Sequence, residues 1–551
     1  MKIKSLFLFC LLATSSLVMA QEAPENWFNL DPGKDKITGV STEQTYKTLL
    51  KGRKSETVVV AVIDSGVDYK HEDLKDIMWV NPGEIAGNGI DDDKNGYIDD
   101  VHGWNFIGGK DGRNIEEDAL EITRLYAKYS KQFKDVNPDK LKKKEKKQYE
   151  EYMGIKKDLD KKNMELNEQA ASWFALEGAI ATLTKGMGGN SNFTKEDLEK
   201  HEPNSEDGNT SKTMILKILE RGASMNDIRE QVKGATGYFD TQLNKWYNPD
   251  FDPRAEIVGD NYADSSERYY GNNDVKGPDA GHGTHVAGII AAVRDNDLGM
   301  KGVADNVRIM SIRAVPDGDE RDKDVANAIF YAVNNGATII NMSFGKGYSH
   351  DKAIVDKAVR YAEKHDVLLV HAAGNDAKNT DSVDNKNFPT DIYGKKKWFR
   401  PKEARGWMEI GALSYKGGED AVASFSNYGK DKVDIFAPGY QIYSTTPEQE
   451  YAAYSGTSMA APVTAGVAAV LRSYFPSLSA KQIKNIIMET AVPQTQKVKQ
   501  PGTKELVSFS ELCKTGGVAN VYNAVNKAKN TKGKRKMRRV IKKPLKETVR
   551  P

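Results

Sequence analysis

Two kinds of pattern divide the chain. Thr57-Val58-Val59-Val60-Ala61-Val62-Ile63 is a continuous, mostly apolar run rich in β-branched residues. Such a run predicts a strand buried on both faces of a parallel sheet. Comparable runs recur at 307–315, 337–344, 367–372, 408–413 and 433–437. Helical periodicity lies between several of them, at 324–335 and 351–365. Strand alternating with helix predicts an α/β fold, a doubly wound and mostly parallel sheet flanked by helices.

The stretch 110–255 breaks that pattern. It carries the charged segment Leu141-Lys142-Lys143-Lys144-Glu145-Lys146-Lys147, and Leu120, Ile122, Leu125 and Tyr126 fall at near-helical spacing. Amphipathic helices, inserted as a subdomain, are the expectation, with the lysine run as a solvated face. The expected organisation is a leader at 1–20, a short extension at 21–56, an α/β domain in two pieces (57–109 and 256–525), the insertion at 110–255 and a basic tail at 526–551.

Composition narrows the class. Of 551 residues, 39% are hydrophobic and 29% charged, values of a globular protein. Eighty Lys and Arg against 78 Asp and Glu give no reason to expect nucleic acid as a partner. Lys2 and Lys4 precede a short apolar stretch at 6–18 and the small-residue site Val18-Met19-Ala20. That is the pattern of a signal peptide, with Gln21 as the mature start and export to the periplasm, cell surface or medium as its consequence. No later stretch reads as a transmembrane helix. Of the two cysteines, Cys10 would leave with the leader and Cys513 reads as a packed thiol. The tail from Lys527 carries a net charge of +11, which suits either contact with an anionic surface or simple solubilisation.

Four segments carry chemistry. Val62-Ile63-Asp64-Ser65-Gly66 puts a carboxylate at the end of a predicted strand, where ligands collect in open α/β sheets. Gly281-His282-Gly283-Thr284-His285 brings a histidine into a helix of small residues. Ala372-Ala373-Gly374-Asn375 ends another strand on an amide, and Gly456-Thr457-Ser458-Met459-Ala460-Ala461-Pro462 places a serine at a helix start. Taken singly, each has an ordinary structural explanation, such as a cap or a turn. Asp-Ser-Gly also occurs in aspartic proteases, but that chemistry needs two carboxylate loops and this chain has one. Residue chemistry alone leaves His282 and His285 as alternatives, and Ser455 and Thr457 beside Ser458.

Together and in this order, the segments resemble the subtilisin-like family of serine peptidases, whose Asp, His, Ser order is well known. The resemblance covers 57–109 and 256–525. It implies a serine endopeptidase acting on proteins or peptides, with Asp64, His282 and Ser458 as the triad and Asn375 as an oxyanion donor. It also implies that Ser343, Phe344 and Gly345, with Ala373 and Gly374, lie along the bound peptide. No cofactor is needed for that chemistry. Structural calcium is a further implication, at Asp73 with the loop carrying Asp295 and Asp297, which is one residue longer than the family pattern. Separately, Asp91, Asp93 and Asn95 match the first half of an EF-hand loop, although its twelfth position is His102. Asp64 and His282 stand 218 residues apart, and the insertion accounts for the distance. The insertion is expected to limit access to the cleft. A peptide-binding pseudoprotease, or a scaffold acting through the helical insertion, would share the same sequence features.

Overall fold

This computed structural model describes residues 23–394 and 402–535. The expected leader at 1–20 and the tail beyond 535 lie outside the described residues. One compact unit falls within Gln21–Glu116 and Pro253–Pro551, and a second is Glu117–Asp252.

The first unit is built on a nine-stranded sheet. From one edge to the other run Val492–Pro493, Gly517–Val518, Ile435–Pro438, Trp407–Leu413, Leu368–Ala372, Ile339–Met342, Val58–Asp64, Val307–Arg313 and Gly103–Asn105. All pairings are parallel except that of the first two. Asp64 pairs with Arg313 at the end of the central ladder.

The continuous apolar run at Val58–Asp64 serves two cores. Val58, Val60 and Val62 enter one, with the helices Gly281–Ala291 and Thr457–Tyr474. Ala61 and Ile63 enter the other, with Asp322–Asn334 and Lys352–Lys364. Alternate side chains of a strand point to opposite faces, so a strand covered twice must be apolar throughout. Each such Val or Ile, fully buried, contributes about 1.5–3 kcal/mol. The short extension also belongs to this unit. Trp27, Phe28, Val40 and Leu50 join the first core, and Val521 N donates to Val40 O at 2.8 Å.

The second unit is helical. Its longest helix is Lys143–Gly186, packed with Glu206–Leu219 and Met225–Thr241 around Leu176, Ile180, Leu183, Ile215, Ile228 and Val232. Ser205 and Ser224 cap the latter two helices through their hydroxyls. Entry and exit of the chain lie side by side, since Leu120 N donates to Trp246 O at 3.0 Å. That geometry suits an insertion into a surface loop. The helical unit begins at Glu117 rather than at 110, because Ile115 is buried in the second core and its N–H bonds to Ile107 O at 2.9 Å. Among the described residues no helix is long and apolar enough to cross a membrane.

Candidate active site

The parallel strands end at one edge of the sheet, and the candidate residues gather there. Asp64 is the last residue of Val58–Asp64, Ser343 follows Ile339–Met342, and Asn375 follows Leu368–Ala372 by three positions. His282 and Ser458 sit in the first turns of Gly281–Ala291 and Thr457–Tyr474.

His282 Nδ1 lies 2.7 Å from Asp64 Oδ1. A carboxylate only accepts, so Nδ1 carries the hydrogen and Nε2 is left as the base. Burial depresses the imidazole pKa, but the Asp64 carboxylate outweighs it and holds His282 above the usual histidine value. Asp64 is itself buried, and Ser65 N also donates to its Oδ1 at 2.9 Å. The helix approaches this loop closely at Gly283, where a Cβ would stand 2.1 Å from Gly66 O. His285 has a different environment. It is fully buried, bonds through Nε2 to Ala452 O at 3.0 Å and stacks on Tyr454 with 4.3 Å between ring centroids. Burial pulls its pKa down to about 3, so it is a neutral packing residue.

Ser458 is held by a reciprocal pair of bonds. Its Oγ donates to Ser343 O at 3.1 Å, and Ser343 Oγ donates to Ser458 O at 2.8 Å. The second bond is available because Pro462, four residues on and inside the helix, has no N–H to offer Ser458 O. The hydroxyl therefore rests on Ser343, and nucleophile–base contacts commonly tighten only with substrate.

The orientation of Asn375 is set by Thr457. Thr457 N and Oγ1 both donate to Asn375 Oδ1, each at 2.9 Å. With Oδ1 so engaged, Nδ2 faces the other way. Asn375 Nδ2 and Ser458 N stand 3.4 and 3.5 Å from the point a Cβ would occupy on Gly456. Both nitrogens thus border the space that glycine leaves open, at the positive end of a helix. Thr457, considered in the sequence only as an alternative hydroxyl, is this amide's anchor, and Pro462 frees the Ser458 carbonyl. Only the hydrogen-bonding roles of Thr and Pro could have hinted at either.

The residues placed along the bound peptide fall into two groups. Among the described residues the main-chain groups of Phe344 and Gly345 make no hydrogen bond, and the next residue, Lys346, pairs with Phe388 at 3.0 and 2.8 Å. Those of Ala373 and Gly374 are engaged within the fold. Ala373 N donates to Ile410 O at 3.0 Å and Gly374 N to Thr457 Oγ1 at 3.0 Å, while both carbonyls accept from Asn427 at 2.8 Å. They hold the Asn375 loop.

The metal expectations separate likewise. Carboxylate oxygens of Glu84, Asp91 and Asp93 all lie within 4.8 Å of one another. No ion pair to these three is found among the described residues. Burial, with the charges of Asp93, Asp91 and Asp92, pushes the Glu84 carboxyl up. Oxygen donors crowded without a counter-charge fit a hard cation such as calcium, which would brace the loop and take no part in bond cleavage. Glu84 lies outside the EF-like motif and was not legible from it. Asn95 instead braces the loop, its N donating to Asp91 and Asp93 at 3.0 Å each. At the other loop, no carboxylate cluster of Asp295 and Asp297 with Asp73 is found among the described residues. Asn296 reaches Asp73 instead, its amide donating at 2.7 Å.

A cavity of about 220 Å³ adjoins the pair, lined by Asp64, His282, Ser343 and Phe344 among others. The larger cavity, about 1220 Å³, lies in the helical unit and contains none of these residues.

The family model of the subtilases, Peptidase S8, matches residues 55–509. The chain belongs to the subtilase family. This subtilase is 35% identical over 298 residues to a thermophilic serine proteinase of Bacillus sp. strain AK1, covering 53% of this chain and 63% of that one. It is 36% identical to a thermostable alkaline protease of Halalkalibacterium halodurans, covering 43% and 58%. With the cell wall-associated protease of Bacillus subtilis strain 168 it shares 33% identity over 50% of this chain and 29% of the relative. It therefore spans less than two thirds of the length of each of these three relatives. Among solved structures, one of a protease from Pseudoalteromonas arctica matches at 26% identity over 47% of this chain and 78% of that chain, with a TM-score of 0.37.

Proposed function

We propose that this subtilase is an exported serine endopeptidase. The observation that carries the reading is the 2.7 Å Asp64–His282 pair at the sheet edge where Ser458 and the amide of Asn375 also gather. A serine hydroxyl is a weak nucleophile at neutral pH and needs an adjacent base. In the proposed cycle an extended peptide pairs its backbone with Ser343, Phe344 and Gly345. Ser458 Oγ leaves Ser343 O, gives its proton to His282 Nε2 and attacks the scissile carbonyl. Asp64 stabilises the imidazolium. Asn375 Nδ2 and Ser458 N receive the oxyanion. His282 then protonates the departing amine, leaving an acyl group on Ser458. A water activated by the same imidazole hydrolyses that ester and restores the serine.

The chemistry needs no cofactor. Calcium on Glu84, Asp91 and Asp93 is a structural proposal only. Export rests on the signal-peptide pattern at 1–20, and anionic-surface contact on the basic tail. Casein digestion by the mature protein, wild type beside Ser458→Ala, tests the reading. Digestion that disappears in a folded Ser458→Ala supports it. Digestion that persists in the variant rejects Ser458 as nucleophile, and a folded wild type that does not digest casein favours the pseudoprotease.

A further inference from the structure

The cavity beside His282 has a wall the catalytic cycle does not use. Glu116, Asp279 and Asp317 line it together with Asp64 and His282. Glu116 and Asp279 are exposed on the cleft side, and neither has an ion-pair partner among the described residues. Asp279 is held against the His282 turn, its Oδ1 accepting from Gly281 N at 3.2 Å.

One cation, Arg313, shares the wall, but its donors are spent on the framework. Nε bonds to Ser65 O at 2.8 Å, Nη2 to Ile115 O and Nη1 to Asn105 Oδ1 at 3.4 Å. It is 1% exposed, so its donors do not reach a ligand, while its charge faces Asp279 and Glu116 and offsets part of theirs. Asp64 and Ser65 also line the cavity, but Asp64 is committed to the catalytic pair, its Oδ1 accepting from His282 and from Ser65 N. Phe344, Val315 and Pro316 complete the lining with apolar surface.

A side chain suited to this space has an apolar stem and a cationic head, which is the build of Lys and Arg. At about 220 Å³ the space takes one side chain rather than a larger ligand, for which ~300–1000 Å³ is usual. We propose that this cleft selects substrates carrying a Lys or Arg next to the scissile bond, with Glu116 and Asp279 as the selecting carboxylates. The proposal rests on the endopeptidase reading, because it names the substrate class of that same site.

The test scans Lys, Leu and Glu through the positions on either side of the scissile bond in fluorogenic peptides. At one position kcat/KM for Lys should exceed that for Leu by about 10-fold, the scale of a charge-assisted contact, and the ratio should fall with added salt. Glu116→Gln and Asp279→Asn should each lower the Lys-to-Leu ratio about 3-fold, and the double variant should bring it near one. Glu116→Lys should turn the preference toward Glu. The same peptides are bound, uncleaved, to Ser458→Ala and read by fluorescence anisotropy. Tighter binding of the Lys peptide there, without cleavage by the wild type, keeps the selectivity and rejects the catalytic reading. Equal kcat/KM and equal binding of Lys and Leu peptides overturn the proposal. So does a Lys preference that all four Glu116 and Asp279 variants leave intact.

Discussion

Thr457→Val separates the amide's orientation from its presence. Thr457 is fully buried, and its Oγ1 both accepts from Gly374 N at 3.0 Å and donates to Asn375 Oδ1 at 2.9 Å. Valine keeps the shape and the main-chain N–H that also bonds Asn375 Oδ1. It removes one of the two bonds fixing the amide and leaves the Gly374 N–H without its acceptor. The stranded N–H should cost about 1–3 kcal/mol of stability, measurable by urea unfolding. The lost orienting bond, worth about 0.5–1.5 kcal/mol net, should lower kcat about 2- to 10-fold. The ceiling comes from Asn375→Leu, which removes the donor outright and should cost ~100- to 1000-fold, the range known for such a donor in a subtilase. Because the Thr457 hydroxyl reaches the reaction through the Asn375 amide, Thr457→Val with Asn375→Leu should be no slower than Asn375→Leu alone. The assay is kcat and KM on a chromogenic peptide, under conditions where unfolding curves show each variant folded. A loss confined to KM, or an additive double variant, would refute the orienting role.

Three further outcomes follow from the same geometry. His282 must be neutral to act and its pKa is raised by Asp64, so the acid limb of kcat/KM should have its midpoint above ~6.5. Asp64→Asn should lower kcat by about 10,000-fold and shift that midpoint down, as a pH–rate profile would read. Gly456→Ala would put a methyl 3.4 Å from Asn375 Nδ2 and 3.5 Å from Ser458 N, and should slow peptide hydrolysis about 10-fold, short of losing a donor. An unchanged kcat would displace the oxyanion site. Calcium at 100 times its Kd should stabilise the protein by about 2.7 kcal/mol, seen as a higher melting temperature than in chelator, and Asp91→Asn with Asp93→Asn should abolish the difference.

Much of the framework is legible because burial on two faces leaves a plain signature. The runs that become Val58–Asp64, Val307–Arg313 and Leu368–Ala372 are apolar throughout, as a strand between two helical layers must be. What was not legible depends on contacts made across long separations. Trp27, Phe28 and Val40 lie in a polar stretch without periodicity, yet they complete the core that also holds Val521 and Val525. Glu84 reaches Asp91 and Asp93 only because the loop folds back, so a motif beginning at Asp91 omits it. His282 and His285 are chemically identical in sequence. Only the Asp64 contact of the first and the Tyr454 stack of the second distinguish a base from a packing residue.

The most direct test of the central claim is labelling of the mature protein with a fluorophosphonate, followed by mass mapping of the adduct, with His282→Ala in parallel. The account predicts a single phosphonylated residue, Ser458, and labelling lost in the folded His282→Ala variant. An adduct on another serine, or labelling of Ser458 at an equal rate without His282, would contradict it.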